Sequence, residues 1–225
     1  LPQSPQLFKQ ILMIAGFDRY FQIVKCFRDE DPRGDRQPEF TQVDLELSFI
    51  DQAAIMAVIE GLRKEVVREV TGREIPLPFP RLTYREAMDR YGTDAPDTRF
   101  GLEIADCGDI FGKSGFSVFA QALDEGGVVR GFAVNDAGKI SRKMLDRFTE
   151  EAKVFGVRGL PTLKYNNNAA EGGIAKHLGP EEVAELGKRF DLSGQGTIFF
   201  AADEYHTACG ALASTRVKVA RELGL

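Results

Sequence analysis

Alternation of apolar and polar residues predicts two strands near the amino terminus, Tyr20–Arg28 and Glu39–Ile50. On one face of the second strand lie the apolar residues Val43, Leu45, Leu47 and Phe49. On the other lie the polar residues Gln42, Asp44, Glu46 and Ser48. The apolar face is expected to pack on a core. The polar face either meets water or forms the floor of a polar site, and the pattern alone leaves both open.

A helix is predicted before these strands, with Ser4 as its N-cap, Pro5 in the first turn and Gly16 at its end. Its apolar stripe is Leu7, Phe8, Ile11, Leu12 and Ala15. Gln6 and Lys9 fall on a different face, three residues apart. From this segment alone, the simplest interpretation of Lys9 is a surface lysine.

Helical periodicity also predicts a long helix over Asp51–Thr71 that ends at Gly72. Its expected buried stripe consists of Ile55, Val58, Ile59, Leu62, Val66 and Val70. An extended segment with three prolines, Ile75–Pro80, follows. Thr83 and Glu86 then form a capping box for a short helix. A polar loop, Gly92–Arg99, suggests a domain boundary near residue 100.

The remaining residues, 101–225, alternate strand and helix signals. Phe116–Leu123 and Val128–Val134 flank Gly126-Gly127 and predict a hairpin. The other predicted strands are Gly159–Tyr165 and Thr197–Ala201, and helices are expected after Ser141, from Pro180 and from Tyr205. The fold class expected is α+β, with residues 1–100 and 101–225 as separate domains.

Composition narrows the function. The chain has 225 residues, a net charge of −5 and no basic block, which argues against nucleic-acid binding by charge alone, so DNA is not an expected partner. No apolar run reaches membrane-spanning length, so a membrane is not an expected partner either. Three widely spaced cysteines fit a reducing cytoplasm. The two histidines have no partner at ligand spacing, and no metal site is expected.

The segment between the two strands carries the strongest chemical signal. It reads FRDEDPRGDRQPEF, and eight of its fourteen residues are charged. A connection of about ten residues is longer than a tight hairpin turn, and long connections are often functional. Ion pairs within such a loop can hold it in place while an arginine is offered to an anionic ligand.

Extended to FRDEDPRGDRQPEFTQVDLELSF, this segment resembles the second signature motif of class II aminoacyl-tRNA synthetases, in the form typical of the aspartyl enzymes. QSPQLFKQ, Gln3–Gln10, resembles their amino-acid-binding segment. PDTR and the closing GALASTRVKVARELGL are similar to the bacterial type, which carries an inserted (GAD) domain. The likeness spans nearly the whole chain and is most specific in the first fifty residues. Ala95 departs from it, since the bacterial family commonly has lysine there.

The resemblance implies part of a class II antiparallel sheet flanked by helices in residues 1–100, and an α+β insertion domain in 101–225. It assigns the catalytic arginine to Arg28. The residues implied to bind aspartate are Ser4, Gln6, Leu7, Phe8, Lys9, Arg28 and Asp44, with Glu46 a weaker candidate. Those implied to bind ATP are Arg28, Asp29, Glu30, Gln37 and Phe40. The loop tip, Asp31–Arg36, would approach the acceptor end of tRNA.

The implied reaction forms aspartyl-adenylate from L-aspartate and ATP and then transfers the aspartyl group to the 3′ end of tRNA. Magnesium would bridge the phosphates, and the family places its main acidic ligand after Leu225. The family is homodimeric. A third motif and an anticodon-binding domain are not visible in the sequence, which starts at Leu1 rather than Met. These observations predict an incomplete and inactive fragment of an active parent.

Two other functions compete. A related ATP-dependent ligase would use the same residues to make an aspartate amide without tRNA. A non-catalytic module associated with tRNA would use residues 101–225 for interaction only. The amide ligase also needs a lysine for an acidic substrate, so Lys9 does not separate it from the synthetase. The hypothesis of a non-catalytic module does not explain why residues 1–50 contain a complete set of substrate-binding residues.

Overall fold

The computed structural model describes residues 1–31, 36–112, 114–135 and 139–225. The chain divides into two compact units, Leu1–Pro80 and Arg81–Leu225. Unit 1 holds the elements α1 (Gln6–Ile14), β1 (Arg19–Phe27), β2 (Glu39–Leu47) and α2 (Gln52–Thr71). Both strands and both helices predicted for this region are therefore present, with ends that differ from the prediction by at most three residues.

Strands β1 and β2 form an antiparallel pair in which Gln22 lies opposite Asp44 and Cys26 lies opposite Phe40. Helix α1 begins at Gln6 with Pro5 as its N-cap, and Ser4 makes no capping bond. The predicted Ser4 cap is therefore wrong, because the helix starts one residue later than the pattern suggested. Asp51 does cap α2, where its carboxylate accepts a hydrogen bond from the Ala54 amide at 2.8 Å.

Apolar side chains that were expected to be buried in unit 1 lie on its surface. Leu7, Phe8 and Ile11 of α1 are exposed, and so are Val58 and Val66 of α2. Helix α2 has no buried residue. The predicted stripes exist as patterns, but the described residues of unit 1 do not cover them. Burial in this unit is instead concentrated where α1 crosses the polar face of β2.

Unit 2 is built around a five-stranded antiparallel sheet with the strand order β3-β4-β7-β5-β6. Its strands are β3 (Ala105–Asp106), β4 (Val128–Val134), β5 (Thr162–Asn166), β6 (Ala169–Glu171) and β7 (Gln195–Asp203). Its α-helices are α3 (Tyr84–Tyr91), α4 (Gly108–Phe111), α5 (Ser117–Asp124), α6 (Arg142–Ala152), α7 (Pro180–Arg189) and α8 (Tyr205–Leu223). Two short 3-10 helices cover Lys153–Phe155 and Ala175–His177.

Helices cover both faces of this sheet. Phe132 and Phe199 join one core with residues of α6 and α8, including Phe148 and Leu212. The alternate residues of β4 and β7 point to a second core, formed with α4, α5 and α7. Unit 2 thus has three layers, with the antiparallel sheet in the middle. These findings confirm the α+β fold class.

One predicted strand of unit 2 is wrong. Phe116–Leu123 was expected to pair with β4, but Ser117–Asp124 forms helix α5 instead. The residues at helical spacing, Phe116, Phe119 and Leu123, all pack in the second core. Strand-forming residue types favoured a hairpin, yet the three-and-four spacing of the buried positions is that of a helix. The predicted capping box of α3 is confirmed, with Thr83 and Glu86 bonded to each other in both directions.

The boundary between the units falls after Pro80, whereas the sequence suggested residue 100. Helix α3 groups with unit 2 because Asp89 is bonded to two other elements of that unit. Its Oδ1 accepts hydrogen bonds from the Tyr205 hydroxyl at 2.6 Å and from Arg130 Nη1 at 3.1 Å. Burial and the bond to Asp89 raise the pKa of Tyr205. The residues between 81 and 100 therefore belong to the second unit by packing.

Arg216 of α8 holds the loop after α3 from inside the unit. It is fully buried, and its guanidinium donates to the carbonyl oxygens of Leu102 at 3.1 Å and Asp97 at 2.9 Å, as well as to that of Gly101. The guanidinium also lies over the rings of Tyr91 at 4.9 Å and Phe100 at 4.6 Å. One cation thus replaces the water that three backbone carbonyls would otherwise need.

Arg216→Lys is expected to lower the free energy of unfolding of unit 2 by about 2–4 kcal/mol, since an ammonium cannot match the planar fork and leaves buried carbonyls unsatisfied. Urea unfolding followed by circular dichroism measures it. Arg221→Lys, on an exposed side chain of the same helix, is the control and should change stability by less than about 0.5 kcal/mol. Equal stability of the two variants would contradict the role given to Arg216.

Candidate functional site

Lys9 lies at the centre of a charged cluster under α1. Its Nζ is 3.0 Å from Asp44 Oδ1 and 3.2 Å from Glu46 Oε2. Lys9 is only 8% exposed, so its interpretation as a surface lysine is wrong. Burial alone would lower the pKa of Lys9, but the hydrogen bonds and charges of Asp44 and Glu46 outweigh it and raise the pKa above its ordinary value. Lys9 is therefore held in its charged form.

The two oxygens of the Asp44 carboxylate differ in their hydrogen bonding. Asp44 Oδ1 accepts from Lys9 Nζ and from Gln42 Nε2 at 3.2 Å. Asp44 Oδ2 is buried and has no hydrogen-bond partner among the described residues. A buried carboxylate oxygen without a donor costs free energy, so an incoming N–H group would be favoured there.

The face of β2 that carries this cluster is the polar face noted in the sequence. Gln42, Asp44 and Glu46 are all partly shielded from water, whereas Val43 on the opposite face is 48% exposed. Lys9 of α1 lies against this face, so these side chains are not simply open to bulk solvent. The sequence placed Gln42 on this face but did not name it among the binding residues, although its position two residues before Asp44 was the available signal.

Arg28 lies at the other end of the same face. Its backbone amide donates to the Pro38 carbonyl at 2.9 Å, which closes the pair of strands. Its side chain lies over the Phe40 ring, with 5.0 Å from the guanidinium carbon to the ring centre, and Nε donates to the Gln3 carbonyl at 3.4 Å. The backbone contact with Gln3 was not expected from sequence. Arg28 is half-buried, so part of the guanidinium faces solvent.

Phe40, Gln42, Asp44 and Glu46 share one face of β2 because side chains alternate along a strand. Phe40 and Asp44 are four residues apart, or roughly 13 Å along the strand. The candidate site is therefore elongated, with an aromatic ring and an arginine at one end and a lysine with two carboxylates at the other. A ligand that spans both ends must carry a planar or anionic group and, separately, a smaller charged group.

The structure places the other predicted residues around this face without joining them to it. Ser4 is half-buried, and Gln6, Leu7 and Phe8 are exposed on α1. Asp29, Glu30 and Gln37 are exposed near Arg28, and Arg36 is 3.9 Å from Glu30. Within the predicted loop tip, Asp31–Arg36, residues 32–35 lie outside the described residues. Of the described His, Cys, Asp and Glu residues, no three are grouped so as to hold a metal ion.

The sequence was also compared with known protein families. Residues 1–207 match the family model described as "tRNA synthetases class II (D, K and N)". The chain belongs to this family of class II synthetases. The resemblance inferred from the FRDED and QSPQLFKQ segments is thereby confirmed. All of unit 1, which holds the candidate site, and most of unit 2 fall within the match.

Curated relatives of this class II synthetase chain are similar over its whole length. An aspartate–tRNA(Asp/Asn) ligase of Geotalea uraniireducens is 48% identical, and one of Moorella thermoacetica is 50% identical, each over 225 residues. An aspartate–tRNA ligase of Oceanobacillus iheyensis is 49% identical over 228 residues. In each case the match covers 100% of this chain and 38% of the relative. The chain thus spans under two-fifths of the length of these relatives.

Proposed function

We propose that this chain carries aspartate- and ATP-binding parts of an aspartate–tRNA ligase. Such an enzyme joins L-aspartate and ATP into aspartyl-adenylate and pyrophosphate and then transfers the aspartyl group to the 3′ end of tRNA. The names of the relatives support this reaction. The observation that carries the proposal is the buried Lys9 between Asp44 and Glu46, with one Asp44 oxygen that no described residue bonds.

The Lys9 cluster matches the charges of aspartate. Lys9 would bind the β-carboxylate, since it is the buried cation of the site. Asp44 Oδ2 would accept from the α-ammonium, which supplies the N–H donor that this oxygen lacks. Ser4 and Gln6 would complete the contacts from the α1 side, with Leu7 and Phe8 at the border. Glu46 would keep Lys9 in position through its 3.2 Å contact.

Arg28 would act on the reacting atoms. One oxygen of the α-carboxylate attacks the α-phosphorus of ATP, a C–O–P bond forms, and the bond to pyrophosphate breaks. Arg28 would neutralise the charge on both the carboxylate and the α-phosphate through its planar fork. Phe40 would stack on the adenine, while Asp29, Glu30 and Gln37 would bind other parts of ATP. No covalent enzyme intermediate is needed, because positioning and charge do the work.

Magnesium accompanies ATP in class II synthetases in general. The described residues do not form a group of three metal ligands, so no step of the reaction is assigned to a metal held by this chain. The role left to these residues is to bind and orient the amino acid and the nucleotide.

The remaining parts of the proposal concern tRNA, assembly and location. The loop Asp31–Arg36 would approach the acceptor end of tRNA, and residues 101–225 would be the inserted (GAD) domain. The parent enzyme would be a homodimer in the cytoplasm. The three cysteines of this chain are buried and unpaired, as a reducing compartment favours. Among the described residues, no helix is both long and apolar enough to span a membrane.

Aspartate-dependent exchange of pyrophosphate into ATP tests the proposal. In a protein of the relatives' length that contains this chain, L-aspartate should support exchange and L-asparagine should be at least about a hundredfold worse, because its neutral amide cannot replace the charged carboxylate that Lys9 would bind. The 225-residue chain alone is expected to give no exchange. Equal exchange with both amino acids, or exchange by the short chain, would contradict these expectations.

A further inference from the structure

A cavity of about 560 Å³ lies in unit 2. It is bordered by α5, by the turn before β4 and by the junction of β7 with α8. Val128 and Asp203 are paired across β4 and β7, which brings the turn beside that junction. A Cβ on Gly127 would lie 2.7 Å from the Asp203 carbonyl oxygen and 2.8 Å from that of Ala122. Glycine therefore permits the close approach that shapes the cavity.

The floor of the cavity is apolar and partly aromatic. The half-buried Phe116 lines it with the exposed Val118 and with Pro161, and the fully buried Phe119 supports Phe116 in edge-to-face contact with ring centres 4.7 Å apart. Its volume falls within the range of roughly 300–1,000 Å³ that is usual for small-molecule sites. Such sites pair an apolar wall with a few polar groups that orient the ligand.

Charges of both signs line the cavity, and they are not paired with each other. Arg158 is exposed and has no hydrogen-bond or ion-pair partner among the described residues. Glu125, Asp203 and Glu204 also line the cavity, and none of them forms an ion pair within the described part of the chain. Opposite charges that share a cavity without bonding to each other can each bind a separate group of one ligand.

The three carboxylates already have fixed positions. Glu125 Oε1 accepts from Gln121 Nε2 at 2.7 Å, and Asp203 Oδ1 accepts from the Glu204 amide at 2.8 Å. Glu204 Oε2 accepts from the first backbone amides of α8. Each carboxylate thus uses one oxygen for the protein, and the second oxygen has no donor among the described residues. These oxygens are suited to an ammonium group from outside.

We propose that this cavity binds a small zwitterion with an apolar body, of which an aromatic α-amino acid is the simplest member. The carboxylate of the ligand would bind Arg158, its ammonium group would bind the carboxylates, and its side chain would lie on Phe116 and Val118. A ligand with only a cation would leave Arg158 unused. A ligand with only an anion would be repelled by three carboxylates. This site is independent of the proposed ligase function.

Three probes with the same aromatic body separate these charges: L-phenylalanine, 2-phenylethylamine and 3-phenylpropionate. Each is titrated into the isotope-labelled 225-residue chain, and binding is followed by amide chemical shifts around α5 and the start of α8. We expect L-phenylalanine to bind roughly tenfold more tightly than either of the others, because each of them lacks one of its two charged groups. Equal affinity of the three probes, or no shift with any of them, would overturn the proposal.

Variants then assign each charge. Arg158→Met should remove the preference for L-phenylalanine over 2-phenylethylamine, and the double variant Glu125→Gln with Asp203→Asn should remove its preference over 3-phenylpropionate. The amides keep the oxygens that accept from Gln121 and Glu204, so the local fold is preserved. Arg142→Met and Glu171→Gln, exposed residues of the same unit that do not line the cavity, are the matched controls. Unchanged preferences in the cavity variants would refute the assigned contacts.

Discussion

Lys9→Met is expected to lower kcat/KM for aspartate-dependent exchange, with a loss of roughly 2–5 kcal/mol in transition-state stabilisation, since it removes one partner of a shielded charge pair. That range corresponds to about 30- to 4,000-fold. Methionine has a similar length but no charge, so Asp44 and Glu46 lose their counter-charge and the β-carboxylate of aspartate loses its proposed partner. Steady-state exchange kinetics in a protein of the relatives' length measures the loss.

Lys25→Met is the matched control for this variant. Lys25 forms the same kind of pair with Glu39 at 2.9 Å on the same two strands, but its side chain is 70% exposed. Exposed pairs contribute about 0–1 kcal/mol, so little change is expected. If both lysine variants reduced exchange equally, the special role of the buried pair would be wrong.

Lys9→Met should also change how the stability of the chain depends on pH. The pKa of Lys9 is raised in the folded state. A raised lysine pKa contributes stability that is present below its unfolded value of about 10.4 and is lost as the pH rises through the folded value. Above about pH 10.4, the free energy of unfolding of the unsubstituted chain should therefore fall more steeply with pH than that of the Lys9→Met variant. Parallel slopes would contradict the coupling of Lys9 to the two carboxylates.

Arg28→Ala is expected to lower kcat for exchange by roughly 10²–10³-fold, the usual loss when one preorganised donor to the transition state is removed. Arg28→Lys should restore little of the activity, because an ammonium lacks the planar fork that bonds a carboxylate and a phosphate together. The measurement is exchange at saturating aspartate and ATP, which separates the chemical step from binding.

Arg19→Ala serves as the control for Arg28→Ala. Arg19 is an exposed arginine of β1 that lies opposite Leu47, at the other end of the strand pair from Phe40. It should leave kcat within about twofold, in line with surface substitutions that touch no special feature. A module that associates with tRNA without catalysis predicts little change for Arg28→Ala as well. Nearly equal rates for the two variants would thus favour that alternative over the ligase.

Much of the fold follows from local patterns that the structure confirms. Thr83 and Ser141 each cap the helix that was expected to follow them, and Asp51, expected as the first residue of its helix, is the N-cap. Their signals are short in range, because a cap needs only a side-chain oxygen and the amides of the next turn. The antiparallel pair of β1 and β2 was also predictable, since alternation marks both strands and the connection keeps them adjacent in sequence.

The failures depend on contacts between distant residues. Lys9 is buried by Asp44, which lies 35 positions later in the chain, and no local pattern contains that distance. The exposure of Val58 and Val66 depends on what packs against α2, which its own periodicity does not specify. In α5, phenylalanine and valine favoured a strand, but burial of Phe116 and Phe119 in a core with other helices decided for a helix.

The strand order of unit 2 also affects its behaviour in solution. The two outer strands are the shortest, β3 with two residues and β6 with three, whereas β4 and β7 in the interior have seven and nine. Long free edges present unpaired amides and carbonyls that recruit strands from other molecules. Edges this short offer few such groups, so the sheet resists aggregation by edge-to-edge pairing even though its interior strands are strongly apolar.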